Sequence, residues 1–336
     1  MRIPFTGRAD ATMHPDGFHG YLPDGGFKPG FFEGWYVKCV SVDRDQRLAF
    51  IPGLFMGDTP DAPREAFVQV LDGATGESWY NAYPADEFSA DPSVFDVTIG
   101  PNHFSADGFK VDLSSGHRGT VTYIGDLDPW PVTRQEPGCM GWYAWMPFME
   151  CYHGVTSFGH GLAGALLTPN GPADFDLGRG YIEKDWGQAF PAGYVWLHSN
   201  SFTDESTSLM ASIAIVPWVR SEFRGFTVGL KHRGRLFRFT TYSGARTVSL
   251  DADDETVRWT LRTKLGGQLD LTATRARGGL LHAPVRTQMH QRVEETLDAR
   301  VHVRLIAPNG EVVLDDTGVA TGLEVHGELS RLLAMN

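Results

Sequence analysis

Short stretches in which two kinds of side chain alternate recur along most of this chain, and each ends at Gly, Pro or Asp. GYVWLHS at 193–199 is one example, and its two-residue period is that of a β-strand. The 39 glycines and 20 prolines punctuate such stretches at the spacing of roughly 8 to 12 residues that is typical of sheets built from hairpins. Helical patterns are limited to 292–299 and 328–334. The chain is therefore predicted to be all-β.

The pattern of the first half restarts in the second half. GWYVKCV at 34–40 is echoed by GYVWLHS at 193–199, and AFIPG at 49–53 by AIVPW at 214–218. These and later matches, at offsets of roughly 150 to 165 residues, predict an internal duplication. Because few residues are identical, chance similarity between hairpin-rich segments is the alternative. The predicted organisation is an N-terminal arm at 1–30, a first β domain at 31–177 and a second at 178–336.

Several classes of function are excluded by composition and motif. The net charge of −12 argues against a nucleic-acid partner, which would need a concentrated basic surface. Three cysteines and no apolar run of membrane-spanning length favour a globular protein of a reducing compartment. The N-terminus lacks the pattern of a secretory signal, so we expect a cytoplasmic protein. No convincing nucleotide-binding or serine-hydrolase motif occurs, and no cofactor is predicted.

The stretch GRGYIEKDWGQAFPAGYVWLHSNSF at 178–202 concentrates charged and aromatic residues. In a strand, Glu183 and Asp185 lie on one face, where two carboxylates raise each other's pKa. A carboxyl group with a raised pKa stays protonated near neutral pH and serves as a general acid. The alternative is a structural role, either as ion pairs of these carboxylates with Lys184 or Arg179 or as the cap of a turn before Gly187.

Further candidates lie around these two carboxylates. Glu33 is a second candidate acid, although a buried ion pair with Lys38 or an Arg is the favoured alternative. His198, on the aromatic face of the next strand, would position the acid or the substrate together with Asn200. The remaining candidates for substrate contact are Trp35, Tyr36, Trp142, His153, His160, Lys184, Trp186 and Trp196. For each histidine and aromatic residue, an ordinary place in the core is the alternative.

A metal site is not predicted. Metal-binding histidines usually occur at compact spacing with a carboxylate nearby. His302 and His326 lack that spacing, and the two histidines of HGVTSFGH at 153–160 are too far apart for one helical face.

Three motifs resemble the tocopherol cyclase family: FFEGWYVKC, GWYAWMPFMECYHGVTSFGHGLAGALL and GRGYIEKDWGQAFPAGYVWLHSNSF. The resemblance extends from about residue 19 to residue 327, and its specific parts are EGWY and EKDWG followed by FP. It implies two lipocalin-like halves, each a β-barrel or β-sandwich, akin to carotenoid hydratases and lipocalin-like Diels–Alderases. Family members close the chromanol ring of a prenylated quinol. The plant pattern EKNWG reads EKDWG here, with Asp185, which puts the identity of the substrate in doubt.

Ring closure of this kind protonates a trisubstituted alkene and traps the tertiary cation with a phenolic oxygen. It needs a protonated carboxyl group, aromatic faces around the cation and exclusion of water. We therefore expect a cofactor-independent, acid-catalysed cyclisation or isomerisation of a hydrophobic prenylated or polyene molecule. Glu183 or Asp185 would be the acid, and Trp186 and Trp196 would flank the cation.

Two other classes of function stay open. A lipid- or terpenoid-binding protein would use the same pocket without turnover, whereas a purely structural β protein would have no cavity larger than a few waters. The expected partner is a hydrophobic small molecule, and collecting it is compatible with peripheral membrane contact.

Overall fold

A computed structural model describes residues 16–59, 61–285 and 288–335, and its regular structure is almost entirely antiparallel β-sheet. Residues 1–15 of the predicted arm lie outside this range. In the first sheet the strand order is β4-β3-β2-β1-β12-β10-β9-β8-β7-β6-β5, and β11 pairs with β10. The strands are β1 Phe31–Val40, β2 Arg47–Met56, β3 Arg64–Asp72, β4 Ser78–Pro84, β5 Phe88–Ala90, β6 Asp96–Ile99, β7 Asn102–Ser105, β8 Gly108–Asp112, β9 Arg118–Ile124, β10 Cys151–Thr168, β11 Gly171–Asp174 and β12 Arg179–Gly187.

The second sheet has the order β16-β15-β14-β13-β22-β21-β19-β18-β17, and β20 pairs with β21. Its strands are β13 Gly193–Ser199, β14 Ser208–Trp218, β15 Ser221–His232, β16 Arg235–Thr240, β17 Arg246–Ala252, β18 Thr256–Arg262, β19 Gln268–Thr274, β20 Gly279–Val285, β21 Gln288–Ile306 and β22 Val312–Gly327. The helix α1 Leu329–Ala334 follows. Short 3-10 helices lie at Ala85–Glu87 and Gly141–Trp145. No helix in the described part of the chain is long and apolar enough to cross a membrane.

The predicted all-β fold of two related halves is confirmed. β1 and β2 occupy the same places in the first sheet as β13 and β14 in the second, and β12 corresponds to β22. The two pairs of matching sequence segments fall on these equivalent strands. The shared strand order is what a duplicated unit predicts.

Two details differ from the sequence-based expectation. The sheets divide between Gly187 and Gly193, not at 177/178, because β12 pairs with both β1 and β10 of the first sheet. The expected helical turn at 292–299 is wrong, because these residues belong to β21 and pair with β20 and β22. Pairing on both sides outweighs the local helical pattern. The short helix expected at 328–334 is confirmed as α1.

The strands at the junction of the two sheets are buried on both faces. Along β1, Trp35 and Val37 face the core of the first sheet, whereas Tyr36 belongs to a hydrophobic cluster between the sheets. Along β13, Val195 faces the core of the second sheet, whereas Trp196 belongs to the cluster between the sheets. The alternating large side chains of these strands therefore build two different layers.

Candidate active site

A cavity of about 210 Å³ lies between the two sheets. One water needs only roughly 10 to 15 Å³, so the cavity is large enough for part of a small molecule. Its wall is mostly apolar and includes Phe32, Phe67, Phe190, Tyr194, Trp196 and Met289. The acidic and basic side chains on the wall include Glu183, Asp185, His153 and Glu324. An apolar wall with a few convergent polar groups is typical of a site for a hydrophobic small molecule.

β12 presents its two carboxylates to this cavity because successive side chains alternate between its faces. Glu183 and Asp185 line the cavity, whereas Ile182 and Trp186 pack into the core of the first sheet. Tyr181 shares the face of the carboxylates and lies in the layer between the sheets. The two carboxylates therefore lie on one face, as the two-residue period predicts.

His153 on β10 links the two carboxylates. Its Nδ1 lies 3.0 Å from Asp185 Oδ1, and its Nε2 lies 3.5 Å from Glu183 Oε2. Burial lowers the pKa of His153, but the two carboxylates outweigh that effect and raise the pKa to about 9. The ring is therefore an imidazolium near neutral pH, with Asp185 as its closer counter-ion.

Glu183 is buried and its carboxyl group is held at one oxygen. Tyr181 Oη donates a hydrogen bond to Glu183 Oε2 at 2.5 Å, and Trp196 Nε1 donates to the same oxygen at 3.1 Å. Burial raises the pKa of Glu183 to about 7, although His153 opposes this shift. Because both bonds use Oε2, the acidic proton is best placed on Oε1, and a substantial fraction of Glu183 is protonated near neutral pH.

A second pair of buried carboxyls lies on the second sheet, and sequence reasoning missed it. Glu324 on β22 is opposite Glu295 on β21 and accepts a hydrogen bond from Tyr194 Oη at 2.6 Å. Tyr36 Oη donates a hydrogen bond to Glu295. Burial raises the pKa of Glu324 to about 7, and burial together with Glu324 raises that of Glu295. The sequence does contain a pattern that could have predicted such a buried carboxyl group, namely a glutamate within an apolar strand, as in GLEVHG at 322–327.

His198 and Asn200 lie behind the cavity and are not among the residues that line it. The His198 ring stacks on Tyr181 with centroids 3.4 Å apart, and its Nδ1 lies 3.5 Å from Lys38 Nζ. Burial and Lys38 lower the pKa of His198, so its ring is neutral. Asn200 Nδ2 donates to the carbonyl of Gly180 at 2.9 Å. Both side chains support the backbone and rings near Glu183 and are not aimed into the cavity.

Glu33 forms a buried ion pair, but its partner is Lys184, not Lys38. Lys184 Nζ lies 2.5 Å from Glu33 Oε1, inside the first sheet and away from the cavity wall. The same ammonium group lies 4.8 Å from the ring centroid of Trp35 and 4.9 Å from that of Trp186. Although burial opposes it, Lys184 lowers the pKa of Glu33. The alternative for Glu183 and Asp185, an ion pair with Lys184, is therefore wrong.

The N-terminal arm covers this ion pair. The backbone N–H of His19 donates to Glu33 Oε2 at 2.8 Å, and the His19 ring stacks on Trp186 with centroids 4.5 Å apart. Lys184 also donates a hydrogen bond to the carbonyl of Gly17. The arm is thereby held on the first sheet.

The remaining candidates divide between the cavity and other places. Tyr36 and Trp196 line the cavity. Trp35 borders it as well, but its ring packs in the core of the first sheet over Lys184. His160 lies inside the first sheet, where its Nδ1 is 3.0 Å from Ser157 Oγ and burial lowers its pKa to about 3. Trp142 is 42% exposed and is not among the lining residues.

His153, Glu183 and Asp185 each place one donor atom within 4.8 Å of the others. This donor set could bind a divalent cation, and the sequence analysis did not predict it. The ligand form of histidine is the neutral ring, whereas the raised pKa of His153 keeps its ring protonated near neutral pH. A cation would therefore have to displace a proton that two carboxylates hold.

Comparisons with known proteins agree with this fold. A family model described as tocopherol cyclase-like matches residues 122–327. Over 215 residues the chain is 28% identical to "Tocopherol cyclase, chloroplastic" of Zea mays; the alignment covers 58% of this chain and 43% of the maize protein. Over 391 aligned positions it is 26% identical to "Probable tocopherol cyclase, chloroplastic" of Oryza sativa subsp. japonica, covering 95% of this chain and 79% of that protein. The chain thus spans less than half the length of the maize relative.

Two solved structures share the fold. The crystal structure of CghA with Sch210972 superposes with a TM-score of 0.60 at 11% identity, covering 94% of this chain and 95% of that one. Kievitone hydratase from Nectria haematococca superposes with a TM-score of 0.53 at 12% identity, covering 98% and 95% of the two chains. At such low identity, the superpositions bear on the arrangement of strands alone.

Proposed function

Because the chain belongs to the tocopherol cyclase-like family, we propose that it is a cofactor-independent cyclase or isomerase that acts on a prenylated or polyene molecule in the cavity between its sheets. The observation that carries the proposal is Glu183, a buried carboxyl group with a raised pKa on the wall of an apolar cavity. A carboxyl group that stays protonated near neutral pH can protonate an alkene.

The reaction is balanced without an oxidant or reductant. Glu183 gives its proton to the less substituted carbon of a trisubstituted alkene, and the alkene π electrons form the new C–H bond. The phenolic oxygen of the same molecule then forms a C–O bond with the tertiary cation. The phenolic proton passes to the Glu183 carboxylate, so the acid is restored and the product is an isomer of the substrate.

The neighbours of Glu183 suit both stages of this cycle. The imidazolium of His153, 3.5 Å from Glu183 Oε2, stabilises the carboxylate that remains once the proton has left. Tyr181 and Trp196 donate hydrogen bonds to the same oxygen and hold the group in place. The rings of Tyr36, Tyr194 and Trp196 on the cavity wall can stabilise the cation through their faces.

Among the acids on the wall, Glu183 suits the reaction better than Asp185 or Glu324. Asp185 is the counter-ion of His153, a role that requires its ionised form. Glu324 also has a pKa raised to about 7, but among the described residues it forms no ion pair with a cationic side chain. Of these three acids, Glu183 is the one that combines a raised pKa with an imidazolium that can stabilise its conjugate base.

The test is turnover in deuterium oxide. The purified protein is incubated with a panel of prenylated hydroquinones, and the products are separated and analysed by mass spectrometry. We expect a product isomeric with its substrate that carries one deuterium at a carbon position. Glu183→Gln should abolish this product, whereas Glu311→Gln, at an exposed turn, should leave it unchanged.

Two results would overturn the proposal. If a ligand binds to the wild type and to Glu183→Gln and neither protein converts it, the protein is a carrier. If Glu183→Gln still incorporates deuterium into the product, another residue is the acid.

A further inference from the structure

Aromatic side chains crowd one exposed edge of the cavity. This aromatic rim consists of Trp142, Tyr143, Phe148, Trp218, Val219 and Phe223. Phe148 is 49% exposed and Val219 is 80% exposed, whereas Tyr143 and Phe223 turn inward and line the cavity. The exposed apolar surface is therefore continuous with the wall of the ligand site.

The rim is built from two segments that pack on each other. Trp142 and Tyr143 lie in the 3-10 helix Gly141–Trp145, and Trp218 ends β14. The Trp218 ring lies 5.6 Å from Tyr143 and 5.1 Å from Phe148, between ring centroids. Because these rings contact each other, their exposed faces form a fixed array.

Val219 occupies a strained position at the tip of the rim. Trp218 pairs with Ser221, so Val219 and Arg220 form a two-residue hairpin turn. Val219 has a φ of +54°, a conformation that glycine adopts more readily than a β-branched residue. The backbone is strained at a point where it presents an apolar side chain to the outside, and strain of this kind points to a functional constraint.

Charge identifies the kind of partner. Residues 139–149 and 208–219 contain no Asp, Glu, Lys or Arg, and Arg220 follows at the tip. Glu222 and Arg224 flank Phe223 with opposite charges, and Glu222 forms an ion pair with Arg331. The whole chain has a net charge of −12, so an anionic surface would repel it. The exposed rings of Trp142 and Phe148, in a patch of little net charge, suit the interface of an electrically neutral lipid bilayer.

We propose that the aromatic rim binds the surface of a zwitterionic lipid bilayer and inserts Phe148 and Val219 among the lipids, with the cavity opening toward the acyl chains. An apolar ligand would then enter along Tyr143 and Phe223 without crossing water. The ligand's route rests on the proposed function, but the binding of lipid does not, and it is measured without substrate.

The experiment is flotation of the full chain with phosphatidylcholine vesicles, together with quenching of tryptophan fluorescence by brominated lipid. Trp142 and Trp218 should be quenched on binding. The double variant Phe148→Ser, Val219→Gly should lower the partition coefficient by at least about tenfold, because two inserted apolar side chains are lost.

Leu177 provides a matched control. It is 83% exposed with a φ of +60°, but it lies in the turn before β12 and outside the rim. Leu177→Gly should leave the partition coefficient unchanged. Val219→Gly alone should fold at least as stably as the wild type, because glycine relieves the strain, so weaker binding by this variant cannot be attributed to unfolding.

Several outcomes would overturn the proposal. One is that the wild type does not float with the vesicles, or that it binds only to vesicles that contain phosphatidylglycerol. Another is that Leu177→Gly lowers the partition coefficient as much as the double variant Phe148→Ser, Val219→Gly does. The last is that the wild type forms a self-associated species that the double variant does not form. The last outcome would identify the rim as an interface between copies of the chain. Glu183→Gln should float like the wild type, which separates failure of the rim from failure of the proposed chemistry.

Discussion

Glu183 and Glu33 are both buried glutamates, yet their pKa values move in opposite directions. Burial acts on both and raises the pKa. In Glu33 this effect is outweighed by Lys184 at 2.5 Å, whereas in Glu183 burial prevails over the more distant His153. The distance and charge of the partner therefore separate a structural carboxylate from a carboxyl group that can hold a proton near neutral pH.

Glu183→Gln should lower turnover by at least about a hundredfold, because general acid catalysis contributes on the order of that factor or more. Binding of the hydrophobic ligand should be retained, since glutamine has nearly the same shape. In the wild type, turnover should fall as pH rises through about 7, the pKa of Glu183. Turnover in a pH series, with ligand binding by native mass spectrometry, checks both expectations. A profile that stays flat from acid to alkaline pH would contradict this assignment.

Asp185→Asn should lower the pKa of His153, because the carboxylate 3.0 Å from its Nδ1 is lost. The His153 ring, with a pKa of about 9 in the wild type, should then lose its proton at a lower pH. Titration by nuclear magnetic resonance with labelled histidine measures this directly. Turnover should decrease because a neutral ring stabilises the Glu183 carboxylate less. An unchanged His153 titration would show that Asp185 does not position the imidazolium.

At the scale of single elements, β1 and β12 each have two different buried faces. One face of the pair carries the ion pair of Glu33 with Lys184 into the first sheet, and the other presents Tyr36 and Glu183 to the layer between the sheets. Adjacent residues of β12 therefore have different roles on the two faces of the strand. Lys184 holds the first sheet together, whereas Glu183 and Asp185 face the cavity.

Glu33→Gln should destabilise the protein by about 3 to 5 kcal/mol, because it leaves the Lys184 ammonium buried without a counter-ion. The double variant Glu33→Gln, Lys184→Met should recover much of that loss, since no buried charge is left. Urea unfolding of both variants measures the two free energies. Glu183→Gln is the matched control and should cost far less, because it removes a carboxyl group that burial already disfavours. Equal losses in the single and double variants would contradict a buried ion pair.

At the scale of the whole molecule, the two sheets meet through a layer that contains Tyr36, Tyr181, Tyr194 and Trp196. The titratable groups of this layer come from both sheets, and folding shifts several of them toward their protonated forms. The association of the sheets is therefore coupled to proton binding.

Stability should decrease as pH rises. The folded-state pKa of His153 is about 9 against 6.5 for the ordinary group, so its contribution is complete below 6.5 and is lost as pH rises through about 9. A shift of this size corresponds to about 3 kcal/mol. Glu183, with a pKa raised from 4.5 to about 7, adds a decrease in the same direction at lower pH. Urea unfolding across this range measures the slope, and His153→Gln should flatten it above neutral pH. A wild-type stability that rises between pH 7 and 9 would contradict this coupling.

Local pattern was sufficient to predict the strands, the repeat and one face of the site. The two-residue period places Glu183 and Asp185 side by side, because alternation is a property of a single strand. The end of the chain was predicted as a helix for a similar reason, since 328–334 does not have to pair with another strand.

Only the tertiary structure decided which distant residues meet. Glu33 pairs with Lys184 because the antiparallel register brings β1 against β12. The two-residue alternation within β1 already excludes Lys38, which lies on the opposite face of that strand. Glu324 reaches the cavity wall, and Glu295 accepts a hydrogen bond from Tyr36 of β1, because the two sheets pack on each other. The segment 292–299 is a strand because both of its neighbours pair with it. A single sequence determines the periodicity of each strand. Which residue a side chain contacts across a sheet or a cavity depends on the register and packing of strands far apart in the chain. Register and packing therefore also decide that Glu33 meets a counter-ion whereas Glu183 keeps its proton near neutral pH.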